Sequence, residues 1–266
     1  MRAHLFDRGA VVLALVTLAT TLAFGFPLFW ALATTLGPRG GGAPLDGLAM
    51  YGRLLVETDI GRWYLNSIIT SGGVTVGVLA ISATCGYAIS QLEFTGRKLL
   101  WGVILASFLI PVQALIVNHF LLMNSWKLIN TLLGVILPQL IAPIAVIVYK
   151  QFFDAVPKEF REAAEIDGAS HWRVLWSVYL PLNWGATAAL GIVVFIGAWN
   201  AFLWPFLAIT KEPLMNITVA TGEAQRLFGT SGLATALLAG LPVAIVYLLF
   251  QGRITRAITM SAGIKG

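Results

Sequence analysis

The sequence predicts an all-α integral membrane protein: a polytopic bundle of six helices with a long cytoplasmic helix-turn-helix loop. Of its 266 residues, 58% are hydrophobic and only 11% are charged, whereas soluble domains are about a quarter charged. A single compact core of this length could not keep so much apolar surface away from water. The chain also contains six uncharged apolar stretches, and one long segment between two of them has helical periodicity. The whole chain, 1–266, is expected to form one transmembrane domain.

The six stretches match the thickness of a bilayer, because a helix needs about 20 apolar residues to cross the hydrocarbon layer. None of them contains Asp, Glu, Lys or Arg, and they run over Gly9–Thr35, Ser67–Gln91, Leu99–Met123, Leu132–Tyr149, Trp184–Ile209 and Leu233–Gln251. The first could instead be a secretory signal, since Arg2 and Arg8 precede it. Its apolar stretch is about twice the usual 7–15 residues of a signal, so we interpret it as a retained span.

Basic residues predict the orientation of the chain. With six spans, both termini, the loop at 92–98 and the loop at 150–183 lie on one side. That side carries eleven Lys and Arg residues and the other side carries six. Cytoplasmic loops hold the excess of Lys and Arg, so both termini are predicted to be cytoplasmic, in a bacterial or archaeal plasma membrane. The net charge of +5 is therefore interpreted as an orientation signal and not as a nucleic-acid site.

Small residues and prolines inside the spans predict how the helices pack. Gly73 and Gly77 are four residues apart, and small residues let helix backbones approach closely in lipid. We interpret them as packing positions within one subunit. Prolines within spans are expected to kink helices next to protein or a cavity; they are Pro27, Pro111, Pro138, Pro143, Pro205 and Pro242.

The loop at 150–183 has the pattern of two short helices. Pro157 suits the first position of a helix, Gly168 suits a C-terminal cap and Ser170 suits the next N-cap. In the second helix an apolar face is predicted at i, i+3, i+4 and i+7, which are Trp172, Leu175, Trp176 and Tyr179. Such a hairpin could dock into a groove on another protein or lie on the lipid surface. Its acidic side chains favour a protein partner, since the cytoplasmic leaflet is usually anionic.

One motif in this loop is specific. The loop contains Glu162-Ala163-Ala164-Glu165-Ile166-Asp167-Gly168-Ala169, followed after eight residues by Val178-Tyr179-Leu180-Pro181. This pattern resembles the EAA motif of ABC importer permeases, in the form found in the carbohydrate-uptake branch, which includes the maltose-type permeases. Val178 stands where the family usually has Ile. Trp63 to Ser67 and Trp199-Asn200 also resemble the family at the entry to its second span and in its fifth span.

The resemblance implies a set of partners. Members work with a second permease subunit, forming a heterodimer, with a pair of ATPase subunits and with an extracytoplasmic solute-binding protein. It implies that ATP is used by the ATPase subunits, that this chain binds no cofactor itself, and that a sugar or sugar-like solute is imported. The ATPase-coupling residues it implies are Glu162, Ala163, Ala164, Asp167, Gly168, Leu180 and Pro181.

Trp199 and Asn200 are candidates for the solute pathway. Trp199 could stack on a sugar ring or simply pack. Asn200 could face solute or form an interhelical hydrogen bond.

Other functions are disfavoured by what the sequence lacks. It contains no Gly-Lys dipeptide and so no Walker A loop, and it has neither an HExxH nor a Gly-x-Ser-x-Gly motif; no catalytic or metal site is predicted. A secondary transporter or channel remains the alternative. Ion-coupled carriers commonly place ionisable residues inside spans, and here only His119 lies near one.

Overall fold

The computed structural model describes residues 8–37, 46–228 and 231–262, and every regular element within these ranges is a helix. In chain order the α-helices are α1 (Arg8–Leu36), α2 (Asp46–Glu57), α3 (Ile60–Gln91), α4 (Arg97–Phe108), α5 (Ile116–Ser125), α6 (Leu132–Ile136), α7 (Pro143–Asp154), α8 (Lys158–Ile166), α9 (His171–Val174), α10 (Leu180–Leu182), α11 (Trp184–Trp199), α12 (Leu203–Ala208), α13 (Ile217–Phe228) and α14 (Ser231–Ala262). The chain ends, whose orientation was predicted from charge, lie outside the described residues.

Among the described residues, three helices are individually long and apolar enough to cross a membrane. They cover Gly9–Leu36, Ile60–Gln91 and Gly232–Gly252. The second begins seven residues before the predicted span at Ser67, because 60–66 contains no proline and continues the same helix. A hydropathy window therefore locates the part of α3 that suits lipid and misses its polar extension.

Three further membrane-spanning candidates are pairs of helices joined at a sharp bend. Arg97–Phe108 and Val112–Ser125 meet at 96°, Leu132–Leu140 and Pro143–Asp154 at 51°, and His171–Leu182 and Trp184–Trp199 at 85°. Counting each pair as one span gives up to six spans among the described residues. In the third pair, His171–Leu182 belongs to the loop predicted to be cytoplasmic, so only Trp184–Trp199 coincides with a predicted span. The predicted stretches Leu99–Met123 and Leu132–Tyr149 are thus not continuous helices. Trp184–Ile209 is also interrupted, at 200–202, between α11 and α12.

Prolines explain two of these bends. Pro111 is extended, with ψ 130°, at the break between α4 and the following 3₁₀ turn, and Pro143 begins α7. Proline lacks the N–H that would continue a helix and disfavours the helical conformation at the residue before it. Pro27 and Pro242, in contrast, lie inside α1 and α14, so the predicted interruptions occur at only some of the span prolines.

The chain divides into two compact units. The first comprises residues 1–60 and 221–240. In its described part, the Tyr51 hydroxyl donates a hydrogen bond to Thr35 Oγ1 at 2.9 Å. Met50 and Leu54 of α2 are buried with Ala234.

The second unit comprises residues 61–220 and 241–266, and α3 packs through its glycines there. A Cβ on Gly73 or Gly77 would overlap the side chains of Ile136 and Leu140, and one on Gly86 would lie 2.8 Å from Tyr149 Cβ and 3.1 Å from the Lys150 nitrogen. These small residues therefore let α3 approach α6 and α7 closely, which confirms the predicted packing role within one subunit.

A second close approach fixes the region around α6 and α12. A Cβ on Gly134 would lie 2.0 Å from the carbonyl oxygen of Leu128. The Trp204 indole donates to the carbonyl oxygens of Gly134 and Val135, each at 3.2 Å.

Asn130 joins the turn before α6 to the residues that follow α12. It is in the left-handed region with φ 60°, and its side-chain oxygen accepts hydrogen bonds from the Thr210 and Lys211 nitrogens at 2.7 and 3.1 Å. These bonds hold the end of α12 against the turn that precedes α6.

Candidate functional site

The segment 157–182, which we call the hairpin, folds as two short helical arms. The first arm is α8, and Pro157 occupies its N-cap, one residue earlier than predicted. The second arm runs through α9, a π-helical turn at Leu175–Tyr179 and α10. Ser170 caps it, as predicted, by accepting a hydrogen bond from the Arg173 nitrogen at 3.4 Å.

Gly168 makes the turn between the arms. Its φ of +78° lies in the left-handed region, which glycine adopts without the steric penalty of a Cβ. The Ala169 nitrogen donates to the Ala164 carbonyl at 2.9 Å and the Gly168 nitrogen donates to the Glu165 carbonyl at 3.0 Å. This pair of bonds is the Schellman motif, which satisfies the last carbonyls of α8. The predicted C-terminal cap is confirmed.

The second arm packs on a cluster of buried rings, Tyr87, Tyr149, Phe153 and Tyr179, called here the aromatic cluster. The Tyr179 ring lies perpendicular to Phe153 with centroids 5.5 Å apart. It also meets Tyr87 edge-on at 5.1 Å. Since these residues come from α3, α7 and the π turn, the cluster attaches the hairpin to two helices of the same unit.

The predicted apolar face of the second arm is only half right. Leu175 and Tyr179 are buried, but Trp172 and Trp176 are 61% and 57% exposed. The π turn has an i→i+5 hydrogen-bond pattern, so Val174 and Tyr179, five residues apart, face the core together. The prediction assumed α-helical spacing and placed the two tryptophans on the packed side.

α8 has one attached side and one free side. Ala164 packs against the residues of the aromatic cluster, and the Arg161 guanidinium is directed inward to Gln91. On the other side Glu162 and Ala163 are exposed and Ile166 is 87% exposed. Ala163 and Ala164, which the motif treats alike, therefore lie on different sides of the helix: Ala163 is exposed and Ala164 packs on the aromatic cluster.

The remaining motif residues lie beyond this free side. Asp167 and Gly168 are exposed at the tip of the hairpin. Leu180 and Pro181 line an apolar cavity of about 640 Å³ together with Trp176 and residues of α3 and α11. The motif residues therefore lie in two places. Asp167 and Gly168 are at the tip of the hairpin, beside the free side of α8, and Leu180 and Pro181 are in the wall of the cavity.

A polar network that was not predicted ties α8 to the end of α3. Arg161 Nη1 donates to the Gln91 carbonyl, and Arg161 Nε lies 3.5 Å from Glu165 Oε1. Arg97 Nη2 donates to the neighbouring Ser90 carbonyl at 3.0 Å. Basic side chains at a helix C-terminus satisfy its last carbonyls and interact favourably with its dipole. The signal in the sequence was the polar pair Ser90-Gln91 closing an apolar span.

The same helix end is also joined to α7. Gln91 Nε2 donates to the Phe153 carbonyl at 3.1 Å, and Ser90 Oγ donates to Asp154 Oδ1 at 2.6 Å. Asp154 is in turn paired with Lys150. The C-terminal ends of α3 and α7 and the first arm of the hairpin are therefore one hydrogen-bonded assembly.

A second polar cluster lies at the opposite end of α3. Asn66 Nδ2 donates to the carbonyls of Pro213 and Met215, each at 3.0 Å. Ser67 Oγ accepts from the Ile217 nitrogen at 2.9 Å, and Asn216 donates to Thr70 Oγ1 at 2.9 Å. These bonds fasten the segment 212–217 to the first turns of α3. The resemblance pointed to Asn66 and Ser67 but gave no partner for them.

Trp199 and Asn200 end α11, whose 16 residues put them roughly 24 Å along the helix from the hairpin. Trp199 is 1% exposed and packs between Tyr64, at 6.2 Å, and Phe195, at 5.8 Å. Its ring is covered by protein and presents no face for stacking in this conformation. Asn200 is exposed at the break before α12, so of the two candidates only Asn200 is accessible.

The candidate site is not a metal centre in the part of the chain that the structure describes. Over these residues no three His, Cys, Asp or Glu side chains come close enough to hold a metal ion. The features available for function there are surfaces and mechanical links: the free side of α8, the apolar cavity, and the two polar clusters on α3.

Comparison with known proteins agrees with this description. The chain is 31% identical over 77% of its length to the arabinooligosaccharides transport system permease protein of Halalkalibacterium halodurans, covering 74% of that protein. It is 32% identical over 79% of its length to the diacetylchitobiose uptake system permease protein of Streptomyces coelicolor, covering 72% of it. It is 32% identical over 77% of its length to the sn-glycerol-3-phosphate transport system permease protein of Yersinia pestis, covering 75% of it.

A solved structure shares the fold. One chain of a bacterial ABC transporter involved in the import of the acidic polysaccharide alginate superimposes with a TM-score of 0.83 at 21% identity, covering 94% of this chain and 99% of that one. The helical fold is therefore that of an ABC transporter permease, as predicted. Residues 73–260 match the family model described as binding-protein-dependent transport system inner membrane component. The chain belongs to this family of inner membrane transport components, and its relatives are permease subunits of sugar-type importers, as the EAA motif predicted.

Proposed function

We propose that this chain is one of two permease subunits of an ATP-driven importer for a neutral sugar or sugar-like solute, and that the free side of α8 docks into an ATPase subunit. The observation that carries the proposal is the pair of opposite sides on α8. One side is fixed to the aromatic cluster and to α3, and the other presents Glu162, Ala163 and the 87% exposed Ile166.

The chemistry of this free side suits a protein groove. An exposed Ile next to a small Ala lets a partner approach closely and bury apolar surface, which favours association. Glu162, on the same side, can accept a charge-assisted hydrogen bond from a basic residue of the partner. The lipid surface is a poorer match, because an anionic leaflet repels an acidic helix face.

The attached side makes α8 suitable for transmitting force. A helix that was only tethered by loops would move without consequence for the spans. Here closure of the ATPase pair would move α8 together with the aromatic cluster and the ends of α3 and α7. By linkage, if docking of the binding protein favours the closed ATPase state, ATP binding favours that docking by the same factor.

The solute class is proposed from the relatives and from charge. The relatives' names include arabinooligosaccharides, diacetylchitobiose, lactose and sn-glycerol-3-phosphate, which share a polyhydroxylated carbon skeleton. The six apolar stretches contain no Lys or Arg, and a phosphate group would favour cations along its path. A neutral oligosaccharide fits this composition better than a phosphate ester.

The proposal includes topology and partners. The hairpin and both chain termini lie in the cytoplasm, following the excess of Lys and Arg on that side. The second permease subunit completes the pathway, and an external binding protein delivers solute. ATP is bound and hydrolysed by the ATPase pair.

The test is uptake into proteoliposomes that contain this chain, its partner permease and the ATPase pair, with binding protein outside and ATP inside. A panel of labelled neutral oligosaccharides is compared with a phosphorylated polyol. We expect uptake of a neutral sugar that requires both ATP and binding protein. Uptake driven by a proton or sodium gradient without the ATPase would contradict the proposal and favour a carrier.

Docking is tested separately by cross-linking. In the assembled complex, Ala163→Cys is expected to form cross-links to the ATPase subunit with a short bifunctional reagent, because this position lies on the free side. Ala164→Cys is the matched control, since it is adjacent in sequence but faces the aromatic cluster. Equal cross-linking from both positions, or none from Ala163→Cys, would contradict docking through this side of α8.

A further inference from the structure

We propose that Arg161 is a positioning residue that makes α3 a rigid connection between α8 and the segment 212–217, so that movement of the hairpin is transmitted along α3 to the opposite end of this unit. The proposal rests on the proposed docking of α8. It assigns a role to Arg161, Gln91 and Asn66, which lie outside the motif core that identifies the family.

The first step is the attachment of α8 to α3. Arg161 Nη1 donates to the carbonyl oxygen of Gln91, the last residue of α3. Its Nε lies 3.5 Å from Glu165 Oε1 one turn along α8. The Nε forms an ion-pair contact with Glu165 but no hydrogen bond, so the bond from Nη1 to Gln91 is what attaches α8 to α3. A displacement of α8 therefore pulls directly on the end of α3.

The second step depends on α3 being a continuous helix. It runs unbroken from Ile60 to Gln91 and contains no proline. From Asn66 to Gln91 it extends for about 38 Å at 1.5 Å per residue, which exceeds the hydrocarbon thickness of about 30 Å. The other membrane-spanning candidates of this unit that begin between 97 and 171 are bent by 51° to 96°, and a bent pair can absorb movement at its break.

The third step is the attachment at the far end. Asn66, Ser67 and Thr70 hold the segment 212–217 by four hydrogen bonds of 2.9 to 3.0 Å. Asn66, Ser67 and Asn216 are almost fully buried, so water does not readily replace these bonds. Trp63 adds a bond from its indole to the Glu212 carbonyl at 3.2 Å. Movement of α3 is thus passed to the segment that follows α12.

The experiment uses the reconstituted complex of both permeases and the ATPase pair and measures the ratio of ATPase rates with and without solute-loaded binding protein. Arg161→Gln removes the guanidinium but keeps a polar side chain, and Asn66→Ala releases the far end without altering the hairpin. Arg173→Gln, an exposed arginine on α9, is the matched control. We expect each of the first two variants to lower the ratio about 5-fold or more, which is the lower end of typical coupling between sites, and the control to stay within about 2-fold of wild type.

The double variant separates a connection from two local defects. If α3 carries one signal, Arg161→Gln combined with Asn66→Ala lowers the ratio no further than the more severe single variant. Independent distant sites would instead multiply their effects, to about 25-fold. A multiplied defect, or an Arg161→Gln complex with the wild-type ratio, would overturn the inference.

If the Arg161→Gln variant fails to assemble into the complex, a second variant tests the inference. In that case Arg161→Lys is used, which keeps a cation but lacks the planar guanidinium that donates to the Gln91 carbonyl. An intermediate ratio is expected, and a wild-type ratio overturns the connection. Failure of the wild-type chain to bind any ATPase would contradict the proposed function as well, whereas normal wild-type stimulation with unaffected variants contradicts this inference alone.

Discussion

The side-chain amide of Asn66 holds the backbone of Met215 from 149 positions away, donating to its carbonyl at 3.0 Å. The same amide nitrogen donates to the Pro213 carbonyl at 3.0 Å. One side chain thus defines where the turn after α12 meets the first turns of α3. Nothing in the hydropathy of either segment predicts this contact.

Asn66→Ala should destabilise the protein. It leaves two carbonyls without their donor, and an unsatisfied buried polar group costs about 1–3 kcal/mol. We expect a lower midpoint of thermal unfolding in detergent, measured by tryptophan fluorescence. Asn124→Ala is the matched control, because Asn124 is exposed at the end of α5, and it should leave the midpoint unchanged. Equal midpoints for both variants would refute the structural role of Asn66.

Substitutions at Gly168 should follow the cost of a left-handed backbone. Its φ is +78° and no heavy atom lies within 4 Å of the place a Cβ would occupy, so strain comes from conformation alone. Asn tolerates this region, Ala costs about 1–2 kcal/mol, and a β-branched Val is worst. The fraction of complexes that retain the ATPase should therefore fall in the order Gly, Asn, Ala, Val.

The control for this series is Gly185→Ala. Gly185 lies near the start of α11, also has no atom within 4 Å of its Cβ position, and has no positive φ. It should retain the ATPase as well as wild type does. A Gly168 series without any order would show that the turn of the hairpin does not depend on this conformation.

Added methyl groups on three glycines should separate backbone contacts from side-chain contacts. Gly134→Ala places Cβ 2.0 Å from a backbone oxygen, Gly77→Ala places it 2.5 Å from the end of the Leu140 side chain, and Gly72→Ala meets nothing. Overpacking costs about 1–3 kcal/mol, and a side chain can rotate away where a backbone cannot. Thermal midpoints should fall most for Gly134→Ala, less for Gly77→Ala, and not at all for Gly72→Ala. A reversed order would contradict the close approach of α6 to the turn before it.

Larger side chains at two adjacent positions of α8 should affect different properties, namely ATPase binding at Ala163 and stability at Ala164. Ala163→Leu enlarges the free side and should leave folding intact while reducing ATPase binding. Ala164→Leu enlarges the side that packs on the aromatic cluster and should lower the thermal midpoint of the isolated subunit. Pull-down of the ATPase and thermal unfolding of each variant check both effects. If Ala164→Leu reduced ATPase binding while the subunit kept its wild-type stability, the assignment of sides would be wrong.

The sequence anticipated those features that depend on local chemistry. Gly168 and Ser170 each satisfy helix-end groups by short-range rules, and both caps occur where expected. The apolar stretches located the regions suited to lipid because hydropathy is summed over a window. The packing roles of Gly73 and Gly77 followed from their spacing along one helix.

Features that depend on one particular partner far away in the chain were not predicted. The exposure of Trp176 follows from the π turn in which it lies, whose wider period shifts the buried side and has no sequence signature of its own. Trp172, in α9 before this turn, is exposed as well. The bond from Arg161 to Gln91 joins residues 70 positions apart. The burial of Trp199 depends on Tyr64 of another helix. In each case the deciding partner is distant in the chain.

The most direct test of the account is the ATPase rate of the reconstituted complex with and without solute-loaded binding protein, for wild type and for Glu162→Ala. Glu162 is exposed on the free side of α8, so its loss should spare folding and insertion. We expect stimulation in wild type and its loss in the variant. Equal stimulation in both would contradict coupling through this side of the hairpin.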